Sequence, residues 1–567
     1  MGRLFVTVRR SLLVFAPALT AMPTASAAQA RFAAAPADTI GKPPSSAPYR
    51  DPTRRADERA LDLLARMSLD EKFWQLFMIP GDREDPAHDY RAGSFGLQIN
   101  VPLAMRANTA RSDTIAAAAV ARAHTERINE LQRWFVQDTR LGIPLLPFEE
   151  TLHGLTREGA TTFPQAIALA ATWDTALVAR VASAIARETR TRGIRMSLSP
   201  VINIANDVRW GRVEETYGED TWLTGAMARA YITPLEQAGI VTTPKHLIAN
   251  VGDGGRDSYP IEFSPRLLEE RYYPPFITAF RDAGARSVMS AYNSVDGSPA
   301  TQNRALLTDV LKRGWGFTGF VISDAAATGG ATVLHHTEAS TATAARHALE
   351  SGLDVIFQTS YEQHRPYLAA FRSAGIAPAV IDSAVARVLR VKFAMGLFES
   401  PYGNPDSAAA VARSVPHRAL AREAAAASIV LLRNAGARLP LTTPTRGARP
   451  LRLAVIGEDA TEARVGGYSP PGARVVSILE GIRAAAPLGT AVRSAPGVPR
   501  VYAPTVVIPT SAWSNERDGA QQRGLNGEYW DNITMSPTSR ARSSSPASTA
   551  AVSGVARRSI PPRACST

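Results

Sequence analysis

Between about residue 50 and residue 400 the chain alternates short apolar runs with longer amphipathic stretches. The runs fall at 95–99, 144–148, 196–204, 240–243, 287–291, 320–323 and 353–357. They are continuous rather than alternating and rich in branched and aromatic residues, which is how strands buried on both faces read. Between them lie segments with apolar residues at helical spacing, such as 177–190, 265–282 and 379–395. Strand, helix, strand in repetition predicts an α/β fold. Seven or eight such units fit a (β/α)8 TIM-type barrel over residues 51–400.

Past that region the pattern changes. The Pro, Gly, Asn and Asp of SPYGNPD predict a linker over 401–415. A helical pattern at 418–433 and an apolar run at 452–457 then open a second, partial α/β sandwich domain over 416–500, and a further β segment begins in GLNGEYWDN, at 524–533. No acidic residue follows Asp531, while Arg540, Arg542, Arg557, Arg558 and Arg563 sit among Ser, Ala and Pro. Such a segment cannot bury a core, so 534–567 reads as a disordered basic tail. Its abrupt onset suggests a frameshifted or truncated reading frame, with a natural tail as the alternative. At the other end, arginines, an apolar run and small residues around Ala25 to Ala30 predict a signal peptide over 1–30, followed by a flexible Ala- and Pro-rich lead-in over 31–50. The protein is therefore expected to be exported, with no membrane span in its mature form.

Composition narrows the chemistry. Cys565 is the single cysteine, so export brings no disulfide framework with it. The net charge of +12 raises a nucleic-acid partner, but the basic residues are spread along the chain and no block of them alternates with aromatics. Neither a nucleic acid nor a metal or other cofactor is expected. His335 and His336 are adjacent, so their side chains diverge, and no carboxylate-rich motif accompanies them.

Polar residues gather where the apolar runs end. GFVISD places Asp324 directly after a strand-like run, where α/β folds keep their chemistry, although an acid there could equally cap the next helix. Other run ends carry Phe148-Glu149-Glu150-Thr151-Leu152-His153-Gly154, Asp207-Val208-Arg209-Trp210-Gly211-Arg212, Pro244-Lys245-His246-Leu247 and Met289-Ser290-Ala291-Tyr292-Asn293. Acids, cations, amides and an aromatic in one ring suit a neutral ligand dense in hydroxyl groups. Lys245 stands out because the chain has only five lysines, at 42, 72, 245, 312 and 392. Its compact ammonium can reach hydroxyls that a planar guanidinium cannot, and an ordinary ion pair with a buried acid is the plainer reading.

Taken in order, ALDLLARMSLDEKFWQL, EETLHG, FPQAIALAATWD, DVRWGRVEETYGED, PKHLIAN, SVMSAYNSVDGSP, GFVISD and REAAAASIVLLRNAGARLPL resemble glycoside hydrolase family 3, the exported β-glucosidases and β-xylosidases whose barrel precedes an α/β sandwich. GLNGEYWDN is similar to the start of the PA14 insert that some members carry. The resemblance implies a retaining hydrolase acting on β-linked glucose, or on xylose or arabinose as the alternative, with Asp324 as nucleophile. It further implies that Lys245, His246, Arg209, Arg256, Tyr292 and Glu150 contact the sugar or surround the nucleophile. Lys245 and Arg256 are expected to keep Asp324 ionised. Family members carry the acid/base on the second domain, and no residue here matches that motif, Glu458, Asp459 and Glu462 included. Activity is expected to be impaired, and a non-catalytic carbohydrate-binding protein is the rival reading.

Overall fold

The computed structural model describes residues 41–101, 114–373, 375–441, 449–471 and 475–498, together with four short strands between 514 and 541. The expected signal peptide, the first part of the lead-in and most of the PA14-like and tail segments lie outside these residues. Two compact units form, one from residues up to 441 together with 464–475, the other from 442–463 and 476 onward.

The first unit is built on parallel strands that close on themselves. Strand β1 (Phe77–Pro80) pairs with β2 (Leu97–Gln98), and just ahead of β2 and β3 (Phe148–Glu149) the Leu146 amide donates to Phe95 O at 3.0 Å. Gly96 permits that approach, because a Cβ there would lie 1.9 Å from Leu146 O. Strand β3 pairs with β4 (Met196–Ser197) and β4 with β5 (Val241–Thr242). After the bend at Pro244 the same stave continues as β6 (Lys245–Leu247), which pairs with β7 (Ser287–Ser290). A hairpin of β8 (Ser294–Val295) and β9 (Ser298–Pro299) follows. Then β7 pairs with β10 (Phe320–Ser323), β10 bridges to the start of β11 (Ile356–Phe357), and β11 returns to β1. Counting β5 and β6 as one stave and leaving out the hairpin, the described residues form an eight-stave parallel barrel, as the sequence pattern predicts.

The strands are buried on both faces because helices cover the outside and side chains fill the inside. Phe148 meets Phe357 edge-on at 5.7 Å, and Phe95 meets Phe320 at the same distance. Neither pair lies on neighbouring strands, so these rings pack the barrel interior. The first stave, β1, is absent from the sequence reading. It follows the helix Leu69–Gln75 after a single residue, with no turn former to separate helical from extended periodicity.

The end of the barrel where the strands begin is held by buried cations. Lys392 is fully buried on the helix Pro378–Ala394 and donates to Gln75 Oε1, Phe95 O and Pro144 O at 2.8, 2.7 and 3.0 Å. Arg195, just before β4, donates to Gly239 O, Ser400 O and Met395 O. Each cation satisfies carbonyls that burial would otherwise leave unpaired.

Four boundaries differ from the sequence reading. Residues 401–415 are not a linker: they contain the helix Pro405–Val411, and Ala408 and Ala412 are buried against Ala117 and Ala121 of the helix Thr114–Asp138. The helix Val415–Ala427 belongs to the barrel unit, not to the second domain, because Ala424 joins the main core and His417 Nδ1 lies 2.7 Å from the buried Glu188 carboxylate. That helix also stops at Ala427, and Ile429 to Leu432 continue as an exposed apolar run in place of the expected helical turn. The lead-in becomes structured at its end, where Tyr49 is buried and donates its hydroxyl to Leu141 O.

The second unit contains the strand β12 (Arg452–Ile456), the helix Ile478–Ala485 and the strand β13 (Ala491–Ala495), parallel to β12. A capping box between Ser477 and Glu480 starts the helix. Beyond it β14 (Ser514–Arg517) pairs with β15 (Ala520–Arg523), and β16 (Tyr529–Trp530) with β17 (Arg540–Ala541). The last pairing places a strand inside the segment read as a disordered tail.

Candidate active site

The barrel gathers its polar residues at the ends where the strands finish. Asp324 follows the last residue of β10, Glu150 follows β3, Lys245 and His246 lie on β6, and Tyr292 lies two residues past β7. Asp324 does not cap the next helix. The helix Ala327–Val333 starts from Ala326, in the left-handed region at φ 62° with no side-chain cap, while Asp324 Oδ1 accepts from the Ala325 amide. Its other oxygen, Oδ2, is buried without a hydrogen-bond partner among the described residues. The strand end is rigid, since Ser323 Oγ accepts the Phe357 amide of β11 and Tyr292 donates its hydroxyl to Ala325 O.

Around Asp324 the partners are fixed in turn. Lys245 Nζ donates to Glu150 Oε1 at 2.6 Å, and Glu150 Oε2 is a second buried carboxylate oxygen without a hydrogen-bond partner among the described residues. His246 Nε2 lies 3.5 Å from Asp324 Oδ2. Arg212 donates toward the same Nε2 at 3.3 Å, so that nitrogen is the acceptor and Nδ1–H donates to Asn203 Oδ1. Asn203 also accepts the His246 amide and donates to its carbonyl. Burial, with Arg212 and Lys245 nearby, pushes the His246 pKa well down, so the ring is neutral.

Burial likewise raises the Asp324 carboxyl above its ordinary value, against the pull of Lys245, the Ala325 amide, Arg212 and Tyr292. This differs from the sequence expectation of a carboxylate held low by cations. The site is closed enough for desolvation to outweigh the charges, and the second cation is Arg212 rather than Arg256.

Arg209 and Arg256 are not brought to Asp324. Arg209 turns out of the mouth, its side chain 67% exposed and bonded to Asp207 at 2.7 Å, and Arg256 is exposed on the loop past β6. The residue that faces inward is Arg212, paired through two bonds of 2.9 Å with the buried Glu215. Three positions further round one irregular turn reverse the direction of the side chain. The sequence holds a faint signal of this, because Arg212 has an acid three residues ahead where Arg209 has only its own capping Asp207.

Sequence reasoning also missed Tyr468. Residues 464–471 form a strap laid onto the barrel mouth. Gln165 donates to Val465 O and Gly467 O, His153 Nε2 lies 3.0 Å from Gly467 O, Glu214 accepts the Gly467 amide, and Thr156 donates to Tyr468 O at 2.9 Å. The Tyr468 ring stands 5.2 Å from Lys245 Nζ. Nothing in its local pattern marks a site, since it lies in a turn more than 140 residues past Asp324. His335 is tied to Tyr292 O at 2.8 Å, and among the described residues no group of three or more His, Cys, Asp or Glu side chains is arranged to hold a metal.

A buried carboxylate with one unpartnered oxygen, ringed by a lysine, a neutral histidine, an arginine and a tyrosine, can attack a carbon and grip hydroxyls around it. The sequence model of the glycosyl hydrolase family 3 N-terminal domain matches residues 69–391, the barrel that carries these side chains. The chain belongs to glycosyl hydrolase family 3. Among relatives of this family-3 chain, a periplasmic β-glucosidase of Salmonella typhimurium is 32% identical over 462 residues, covering 78% of this chain and 56% of the relative. A β-xylosidase of Formosa agariphila is 33% identical, covering 63% and 53%. Among solved structures, a β-glucosidase from Erythrobacter marinus is similar at a TM-score of 0.71 and 34% identity, covering 80% of this chain and 60% of that one. A β-glucosidase from Listeria innocua in complex with isofagomine is similar at 0.65 and 27%, covering 77% and 59%. The family-3 chain thus spans little more than half the length of the relatives it matches.

Proposed function

We propose that the barrel removes β-linked glucosyl residues from the non-reducing ends of glycosides through a covalent intermediate on Asp324. The observation that carries this reading is the buried, unpartnered Asp324 Oδ2 at the centre of the polar ring. Its lone pair forms a bond to the anomeric carbon as the bond from that carbon to the leaving oxygen breaks, and the leaving group departs with the electron pair. Water then adds at the same carbon and releases the carboxylate. Glu150 Oε2 is free to accept a sugar hydroxyl while Lys245 and Arg212 donate to others. Export is part of the proposal, supported by the N-terminal pattern of arginines, apolar run and small residues.

The other carboxylates of the ring are engaged by cations, Glu150 by Lys245 and Glu215 by Arg212. That suits them to hold hydroxyls rather than to protonate a leaving group. A positioned general acid commonly contributes ~10²–10⁴-fold, so substrates that leave without a proton should react best. The test is to mix the purified chain with 2,4-dinitrophenyl β-glucoside and follow phenolate release and intact mass together. A burst with one added glucosyl mass is expected. Glucose binding without any burst would support the carbohydrate-binding reading and overturn the catalytic one. The matching β-xyloside, run in parallel, decides between the two activities that the relatives' names carry.

The same assay separates the two arginines. Arg212→Ala removes the cation shared by Glu215, His246 and Asp324 and should slow the burst by ~10²-fold or more. Arg209→Ala, which removes an exposed pair, should leave it within about twofold. Equal effects of the two substitutions would refute the assignment of Arg212.

A further inference from the structure

Glu149 is a buried carboxylate that the chemistry above does not use. It is the last residue of β3, beside Glu150 in sequence, yet its side chain goes elsewhere. Oε1 accepts from Gln98 Nε2 of β2 and, at 3.4 Å, from the Glu150 amide, while Oε2 stands 2.5 Å from Arg157 Nε in an ion pair whose angle falls short of a hydrogen bond. The turn 150–157 is closed on itself by the Thr156 amide donating to Glu150 O at 2.9 Å. One carboxylate therefore holds both the first and the last residue of that turn. The turn carries three groups that reach the site: Glu150 on Lys245, His153 against Gly467 O, and Thr156 on Tyr468 O.

We propose that Glu149 is a positioning residue for the glycosidase site. Its carboxylate clamps the turn 150–157 through Arg157 and so sets the place of Glu150 and of the Tyr468 strap. The inference rests on the reading of Asp324 and Glu150 given above and deepens it. A displacement of Glu150 by about 1 Å is enough to cost ~10²-fold in a site that depends on position.

The clamp responds to pH near neutrality. Burial raises the Glu149 carboxyl to about 7, against Arg157 and the Gln98 bond, with Glu150 adding to the rise. Among the described residues the buried Arg192 also faces it, its guanidinium donating to Glu158 O. Because the folded value lies above the ordinary one, protonation is favoured in the fold as pH falls, and the Arg157 pair is then lost. Above about 7 the clamp is charged and closed.

Glu149→Gln keeps the shape, but its amide faces Arg157 with a donor, so it copies the protonated form at every pH. For the wild-type chain the dinitrophenolate burst should be about tenfold faster at pH 8 than at pH 6 after the contribution seen in Glu149→Gln is divided out, following the ionised fraction on either side of 7. Glu149→Gln and Arg157→Met should both be slow at pH 8 and should lose that component. Hydrogen exchange of the peptide covering 148–163, corrected for intrinsic rates, gives a readout independent of catalysis. Protection in the wild type should fall between pH 8 and pH 6, and in both variants it should be low throughout. If the variants show wild-type protection and the same pH ratio, the clamp is refuted. If no burst occurs in any protein but exchange behaves as described, the clamp stands and the catalytic reading fails.

Discussion

Asp324→Asn is expected to abolish the glycosyl-enzyme, with no added mass after exposure to 2,4-dinitrophenyl β-glucoside and phenolate release slowed on the order of 10⁴–10⁶-fold, as for other covalent nucleophiles. The amide fills the same space but has no lone pair able to form the ester. Folding should not suffer. Oδ2 is buried without a partner, and burial raises the carboxyl above its ordinary value. A carboxyl raised in the fold contributes stability that is present at low pH and lost as pH rises through the raised value, so the ionised form is a cost at neutral pH. Asp324→Asn should therefore melt at the same temperature as the wild type or higher at pH 7, and the gain should vanish as the pH is lowered. An inactive variant that also melts well below the wild type would instead make Asp324 a structural acid. Stability surrendered at a catalytic carboxylate is a familiar exchange.

Lys392→Met should show the opposite combination, a large loss of stability from a residue at the other end of the barrel. Methionine fills most of the volume but leaves Gln75 Oε1, Phe95 O and Pro144 O without their shared donor. Unsatisfied buried acceptors cost about 1–3 kcal/mol each, and together a loss of roughly 3–5 kcal/mol is expected once the barrel has relaxed. Denaturant unfolding followed by tryptophan fluorescence would read it as a lower midpoint. Arg313→Ala is the comparison, since its pair with Asp309 is 67% exposed on the arginine side and should contribute about 0.5 kcal/mol or less. Similar midpoints for the two variants would show that the three carbonyls find other donors. The three acceptors precede β1, β2 and β3, so the loss should spread through the barrel rather than stay local.

Seven of the eight staves were legible because buried parallel strands are continuous apolar runs bounded by polar ends. The stave that was not, β1, lacks such a bound: Gln75 ends a helix and Phe77 begins a strand. The boundary near residue 400 was misplaced for a related reason. Pro, Gly and Asn in SPYGNPD signal a turn, but Asn404 and Pro405 then serve as N-cap and first residue of a helix. Turn chemistry and helix-start chemistry use the same residues. In 418–433 the alanines favour helix and the following Ile, Val and Leu favour strand, and the observed break at Ala427 falls where one composition gives way to the other.

The candidate site divides along the same line. Asp324, Glu150, Lys245, His246 and Tyr292 each follow or end an apolar run, so sequence order alone assigns them to the mouth of a barrel. What sequence could not set is direction and distance. Arg209 and Arg212 have the same chemistry three residues apart, and only the path of the loop past β4 turns Arg212 inward and Arg209 out. Tyr468 reaches Lys245 because Gln165, His153, Thr156 and Glu214 hold a strap that sequence separates widely from all of them. The raised carboxyls of Asp324 and Glu149 belong to the fold as well, because desolvation depends on how many atoms close around a group. The sequence by itself determined the α/β class and the succession of strands, which follow from local periodicity, and its resemblance to the family singled out Asp324 as the carboxylate proposed to attack. Tertiary structure decided which cation faces that carboxylate, what covers it and how strongly it holds its proton, because these are properties of space between elements and not of any one stretch of chain.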